Sequence, residues 1–249
     1  MKSELWVSAF DLHYPDVHWP TFHAMMAFLK RNRVHGFVFG GDQFNNECIS
    51  HHTKGKPQFR PTGQFAMDEA AFDQQVLKPI MREIYPESKR VWIVGNHDYW
   101  EQEYEQEHPE LLGRLQRPLN LDLENRGWQV VPLGGIYKRG KMSWIHGEGL
   151  SGMHHAKKAV EVYCTNVNYG HFHALQTYTK VLSSDFRQKW VAQCNPILGN
   201  VNPRYLEGRP NAWVNGFTVT ELYRGGHFNN YPIVVNEGEA AYGGRVYKG

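Results

Sequence analysis

The chain opens on an apolar run at residues 4–10 (ELWVSAF) that predicts a buried strand. Residues 20–33 then place Phe22, Met25, Met26 and Leu29 at helical spacing, and residues 36–40 (GFVFG) return to a short apolar run. Strand, helix, strand is the pattern of a βαβ unit. A long polar stretch at 43–66, with Gly, Pro, His, Lys and Arg, reads as a loop of a length that is usually functional or disordered. A helix is expected at about 67–84, a third strand at KRVWIVG, and a charged helix with a solvated outer face at 99–117. From residue 128 the texture turns to short β-rich runs (WQVVPL, GIYKR, KMSWIHG), with one helix at about 154–163. Then follow NVNYGHFHALQTYTKVL, KWVAQC, WVNGFTVTELY and YPIVVNEGEAAYGG. The last two suggest an antiparallel hairpin turning at Arg224, Gly225 and Gly226. The pattern predicts an α/β fold of two packed mixed β-sheets flanked by helices. With no linker evident, residues 1–249 are read as one domain.

Composition narrows the class. At 249 residues and 41% hydrophobic, the chain can bury a large core. A net charge of +2 does not by itself mark a nucleic-acid binder. Cys48, Cys164 and Cys194 are widely spaced and odd in number, which points to neither a disulfide framework nor a cysteine zinc site, and fits a reducing compartment. No apolar run has membrane-span length, and the start has no signal-peptide h-region.

Five short motifs end predicted strands: Asp11-Leu12-His13, Gly41-Asp42, Gly95-Asn96-His97-Asp98, His146-Gly147 and Gly170-His171-Phe172-His173. Open α/β sheets bind ligands at the carboxyl ends of their strands, so all should converge on one edge. Imidazole with carboxylate suits divalent Mn, Fe or Zn, and two such ions need a bridging carboxylate, which an Asp following a strand can supply. Asp-x-His and His-x-His spacing would place paired ligands on one side of an extended segment. Each motif alone has a plainer reading, as a cap, a turn or a hydrogen-bonded histidine; the ordered series outweighs those readings. His146 is preferred over His154 and His155, which begin a helix, and His51 and His52 are read as solvated.

The ordered series resembles the calcineurin-like metallophosphoesterase superfamily (D-x-H, G-D, G-N-H-[DE], H, G-H-x-H), and GRPNAWVNGFTV resembles small phage and bacterial members in particular. The resemblance implies the four-layer αββα sandwich of that family and a dinuclear phosphoesterase using metal-bound hydroxide. It assigns Asp11, His13 and His173 to one metal and Asn96, His146 and His171 to the other, with Asp42 as the bridge. His97 takes the catalytic position at the leaving group, and Asp98 a supporting place beside it. Two divalent ions are implied, manganese first, with iron or zinc as alternatives. The cytoplasm of a bacterium or phage-infected host is the implied location.

The substrate is less constrained. The Asp and phosphate-binding Arg of the protein phosphatases' G-D-x-V-D-R-G are missing from Gly41-Asp42-Gln43-Phe44-Asn45-Asn46, and Asp98 stands where those enzymes carry Glu. The motifs are nearer the repair-nuclease and phosphodiesterase branch. Asn45 lies where relatives place an Asp or His near the catalytic histidine, and it supplies no charge. Lys54, Lys56 and Arg60, with Phe59, suit a nucleic-acid backbone and a stacked base, against the plainer reading of a solvated loop. The expected partner is a phosphate ester, with nucleic acid or a nucleotide as candidates. A phosphodiesterase or nuclease is the first reading, a phosphomonoesterase the second, and a non-catalytic scaffold the third.

Overall fold

The structure, a computed structural model, describes residues 3–52, 55 and 63–249. Strand β1 (Glu4–Ala9) leads through helix α1 (Trp19–Arg31) to strand β2 (Gly36–Phe39). Helices α2 (Gln64–Phe72) and α3 (Lys78–Glu83), joined by a π turn at Asp73–Leu77, lead to strand β3 (Lys89–Ile93). Helix α4 (Asn96–Glu107), the short α5 (Arg117–Asn120) and strand β4 (Trp128–Val131) follow. Strands β5 (Tyr137–Arg139) and β6 (Met142–Trp144), helix α6 (His155–Tyr163), and strands β7 (Asn166–Tyr169), β8 (Gln176–Leu182) and β9 (Asp185–Cys194) build the next layer. Strands β10 (Gly216–Leu222), β11 (Phe228–Val234), β12 (Glu239–Tyr242) and β13 (Arg245–Lys248) end the chain.

Two mixed sheets result, a six-stranded one in the order β11-β10-β1-β2-β3-β4 and a five-stranded one in the order β5-β6-β7-β9-β8. β1 to β4 run parallel, and β10 pairs antiparallel with β1. Alternation along each strand sorts side chains to two buried faces. Val7, Ala9, Phe37, Phe39 and Trp92 face α1, α2 and α3, with Phe22, Phe28, Phe72 and Leu77. Trp6, Phe10, Val38, Val91 and Ile93 face the second sheet and meet Met142 and Trp144. Because these strands bury both faces, they appear in the sequence as unbroken apolar runs rather than alternating ones. The outer face of the second sheet is covered by α6 through Ala156, Ala159 and Val160 against Val167, Tyr169 and Ala192. The layers are therefore helix, sheet, sheet, helix.

At the seam, Trp6 stacks on Trp144 at 5.5 Å between centroids, and the Trp144 indole N–H donates to the buried Ser8 hydroxyl at 2.8 Å. Where polar groups enter the seam they satisfy one another: Asn168 and Asn230 exchange amide hydrogen bonds of 3.0 and 2.6 Å, and Thr220 donates to Asn230.

Some expectations change. The stretch 43–66 is not wholly a polar loop: Gln43, Phe44, Asn45, Asn46, Cys48, Ile49 and Ser50 are buried, and Cys48 and Ile49 pack with Phe65 and Leu115. The charged helix predicted to residue 117 stops at Glu107, before Pro109, and its Glu101 and Glu105 are buried rather than solvated. The final β run is broken after β11, and β12–β13 is a separate hairpin whose Tyr247 packs on Phe28 of α1. All three cysteines are free, and no helix among the described residues is long and apolar enough to cross a membrane.

The inter-sheet seam should be the costliest place to open a cavity. Trp144→Ala is expected to destabilise the fold by about 3–5 kcal/mol in urea unfolding. A loss below about 1 kcal/mol would show that the seam is not tightly packed.

Candidate metal centre

The parallel strands of both sheets deliver their following residues to one edge. Asp11 and His13 follow β1, Asp42 follows β2, Asn96 follows β3, His146 follows β6, and His171 and His173 follow β7. The paired ligands do not lie on pleated extended backbone, as their spacing suggested. Asp11, His13, Asp42, His171 and His173 all have positive φ, between 49° and 69°. Left-handed turns, not strand alternation, aim these side chains inward. Asn96 and His97 open the first turn of α4, with Gly95 as N-cap.

Two of the motif glycines explain themselves here. A β-carbon on Gly95 would strike the Asp42 carboxylate, and one on Gly170 would strike that of Asp11. Both carboxylates are buried against backbone, and only glycine leaves them room.

The donor atoms form two groups. In the first, Asp11, His13 and His173 converge: His13 Nε2 is 3.0 Å from His173 Nε2, which is 3.4 Å from Asp11 Oδ1. In the second, Asn96 Oδ1 lies 2.9 Å from both His146 Nε2 and His171 Nδ1, and Asp42 Oδ2 lies 3.3 Å from His146 Nε2. Asp42 also groups with His13 and His97, so its carboxylate stands between the two sets. Donors of this kind, gathered this closely, fit divalent cations with nitrogen and oxygen ligands.

The protonation states agree with that fit, with one exception. Burial would raise Asp42, but His146, His97 and His13 outweigh it and hold the carboxyl well below its ordinary range. Asp11 is lowered too, burial being overcome by His173 and His146. Burial pushes His13 down to about 3, helped by His97 and His173, and it lowers His171 and His97 as well. Neutral imidazoles and ionised carboxylates are the forms a cation needs. His146 is the exception: burial opposes its charge, yet Asp42 and Asp11 push it up to about 10, so a cation must displace its proton.

Metal-binding histidines are usually oriented through a hydrogen bond to the other ring nitrogen. His13 and His173 lack this: both Nδ1 atoms are buried without a hydrogen-bond partner among the described residues. Ring contacts hold them instead. Trp100, His97, His13, His173 and Trp213 form a continuous row with centroid spacings of 4.0, 4.8, 4.9 and 4.2 Å.

His97 is held from three sides. Its backbone N–H donates to Asp42 Oδ1 at 2.8 Å, its Nδ1 meets the Asn45 carbonyl oxygen at 3.2 Å, and its own carbonyl accepts from Asn46 Nδ2 at 2.8 Å. Its Nε2 faces the centre, 4.0 Å from Asp42 Oδ2. The Asn45 side chain points elsewhere, donating to Asp16 at 2.5 Å, so it acts on His97 through its carbonyl. Asp98 faces backbone rather than the centre. Its carboxylate accepts from the N–H groups of Gly95, Gln43 and Phe44, tying the start of α4 to the turn that carries Asp42. Lys54, Lys56 and Arg60 lie outside the described residues.

Three residues beyond the motifs matter. Arg117, 1% exposed, pairs with Glu101 at 2.6 Å and donates to the Asn46 side chain, with its guanidinium between the rings of Phe44 and Phe65. Its partner Glu101 lies on α4, within a stretch whose charge pattern looks solvated. Trp213 lies in the GRPNAWVNGFTV stretch, where the motif was visible but its place at the centre was not.

The calcineurin-like phosphoesterase family model matches residues 11–230. No curated protein matches the chain. Among solved structures, a predicted phosphoesterase from Streptococcus pneumoniae TIGR4 is similar at 10% identity and a TM-score of 0.39, over 99% of this chain and 97% of that one. Vacuolar protein sorting 29 of Cryptosporidium parvum is similar at 14% identity and a TM-score of 0.43, over 98% of this chain and 94% of that one.

The Arg117–Glu101 pair gives a stability test. Arg117→Ala strands a buried carboxylate and is expected to cost about 3–5 kcal/mol. Arg117→Met combined with Glu101→Met should recover most of that loss in urea unfolding. A single variant within about 0.5 kcal/mol of the parent would show that the pair is not desolvated.

Proposed function

The chain belongs to the calcineurin-like phosphoesterase family, and from that premise we propose that it hydrolyses phosphate esters at a dinuclear metal centre, favouring diesters. The observation that carries this reading is the buried Asp42 carboxylate standing between two convergent sets of donors. Asp11, His13 and His173 would hold one ion, and Asn96, His146 and His171 the other. When bound, divalent ions, manganese first and iron or zinc next, polarise the phosphoryl group and activate water.

The residues of the chain do the rest. His97 meets the Asn45 carbonyl through Nδ1, which places a proton on that atom and leaves Nε2 turned to the substrate side. An anionic phosphate beside Nε2 favours a second proton there, against the lowering by burial. That proton can pass to the departing oxygen as its bond to phosphorus breaks. Such help is worth roughly 10²–10⁴-fold in rate. The N-terminus of α4, pointing into the centre, adds partial positive charge.

The preference for diesters rests on charge. A monoester brings a dianion and calls for an additional fixed cation. Arg117 donates to the Asn46 that holds the His97 carbonyl, and its guanidinium is engaged by Glu101 and Asn46. The groups that most depress Asp42 are imidazoles. The absence of the protein phosphatases' motif Arg points the same way.

With Mn²⁺ added, bis-p-nitrophenyl phosphate should be cleaved faster than p-nitrophenyl phosphate, and chelation should abolish both activities. A preference of about tenfold for the monoester would reverse the substrate reading, and undiminished activity after chelation would end the metal reading.

His97→Ala should keep both metals by elemental analysis. It should lose more activity on alkyl esters, whose leaving groups need protonation, than on p-nitrophenyl esters. Loss of metal, or equal losses on the two ester classes, would remove His97 from the leaving group.

A further inference from the structure

The row of rings through the centre does not end at the histidines. Beyond His97 it continues through partly exposed Trp100 to His52, 5.6 Å away and exposed. Beyond His173 it continues through partly exposed Trp213 to Tyr205, 6.3 Å away and 43% exposed. A phosphate bound at the centre would lie between the two indoles, Trp100 one ring beyond His97 and Trp213 one ring beyond His173, each backed by a ring at the surface.

Bracing the histidines accounts for the inner contacts of each indole. It does not account for the rings of His52 and Tyr205, which carry the row outward to the surface at its two ends. Flat, partly exposed aromatic surfaces flanking a phosphate site suit bases on the two sides of a phosphodiester, because every base offers a π-face. Resting on the phosphoesterase reading above, we propose that the site takes single-stranded nucleic acid. One base stacks at Trp100 and His52, and the next stacks at Trp213 and Tyr205.

The test compares two diesters with the same leaving group on the Mn²⁺-loaded protein, thymidine 5′-(p-nitrophenyl phosphate) and methyl p-nitrophenyl phosphate. Hydrolysis of either adds water across the P–O bond and releases p-nitrophenolate. The thymidine ester should be preferred in kcat/KM by about tenfold or more, mainly through KM. Trp213→Leu should bring that ratio most of the way back to one, a loss of about fivefold or more, with Trp213→Phe restoring much of it. Taking the ratio within each variant cancels any general loss through His173. Equal kcat/KM for the two esters, with both cleaved, would overturn the stacking proposal and leave the phosphoesterase reading standing. Cleavage of neither would count against the phosphoesterase reading instead. A binding arm then decides the stacking proposal without turnover: oligothymidylate should quench indole fluorescence and bind more tightly than an abasic strand of equal length. Equal affinity for the two strands would overturn it.

Discussion

The centre depends on a carboxylate that has been taken out of water. Asp42 is 1% exposed, and an isolated ion so placed would be severely destabilising. It is tolerated because imidazoles from both sheets and the His97 backbone N–H surround it. That requirement reaches far into the fold. Gly95 must stay a glycine, α4 must start where it does, and β6 must deliver His146 against Asp42. Asp98 locks the two turns together from behind by accepting backbone N–H groups from each.

Much of this was legible because the relevant signals are local. Runs such as GFVF and VWIV show strands buried on both faces, and the motif at the end of each shows what the strand delivers. What failed was the inferred geometry of delivery. A period of two implied extended ligand pairs, whereas Asp11, His13, His171 and His173 adopt left-handed backbone. Spacing records which residues meet; it does not record the dihedral angles that bring them together.

Arg117 and Glu101 were illegible for a different reason. Residues 99–117 carry enough charge to look like a solvated helix; Pro109 marks a break, but nothing local shows that the chain then turns Arg117 back against Glu101. A buried ion pair arises from tertiary closure, and its two halves look like ordinary surface residues when read separately. The same holds for Trp213. Its stretch could be recognised, but its contact with His173 spans forty residues of chain and two strands.

Strain and ring contacts together suggest how the centre divides its costs. Non-glycine residues in left-handed backbone cost of order 1–3 kcal/mol each, and five donor residues bear it here. Two of the histidines also leave a ring nitrogen without a partner among the described residues. Neither feature improves the stability of the folded chain alone. Both become tolerable if cation binding to the folded state, which mass action turns into stability, offsets them. The ring contacts bracing His13 and His173 then have a second consequence. A carboxylate on each Nδ1 would orient the rings equally well, but it would add negative charge beside an anionic substrate. Aromatic edges hold the rings in place while leaving the charge of the centre to the metals and to Asp11 and Asp42.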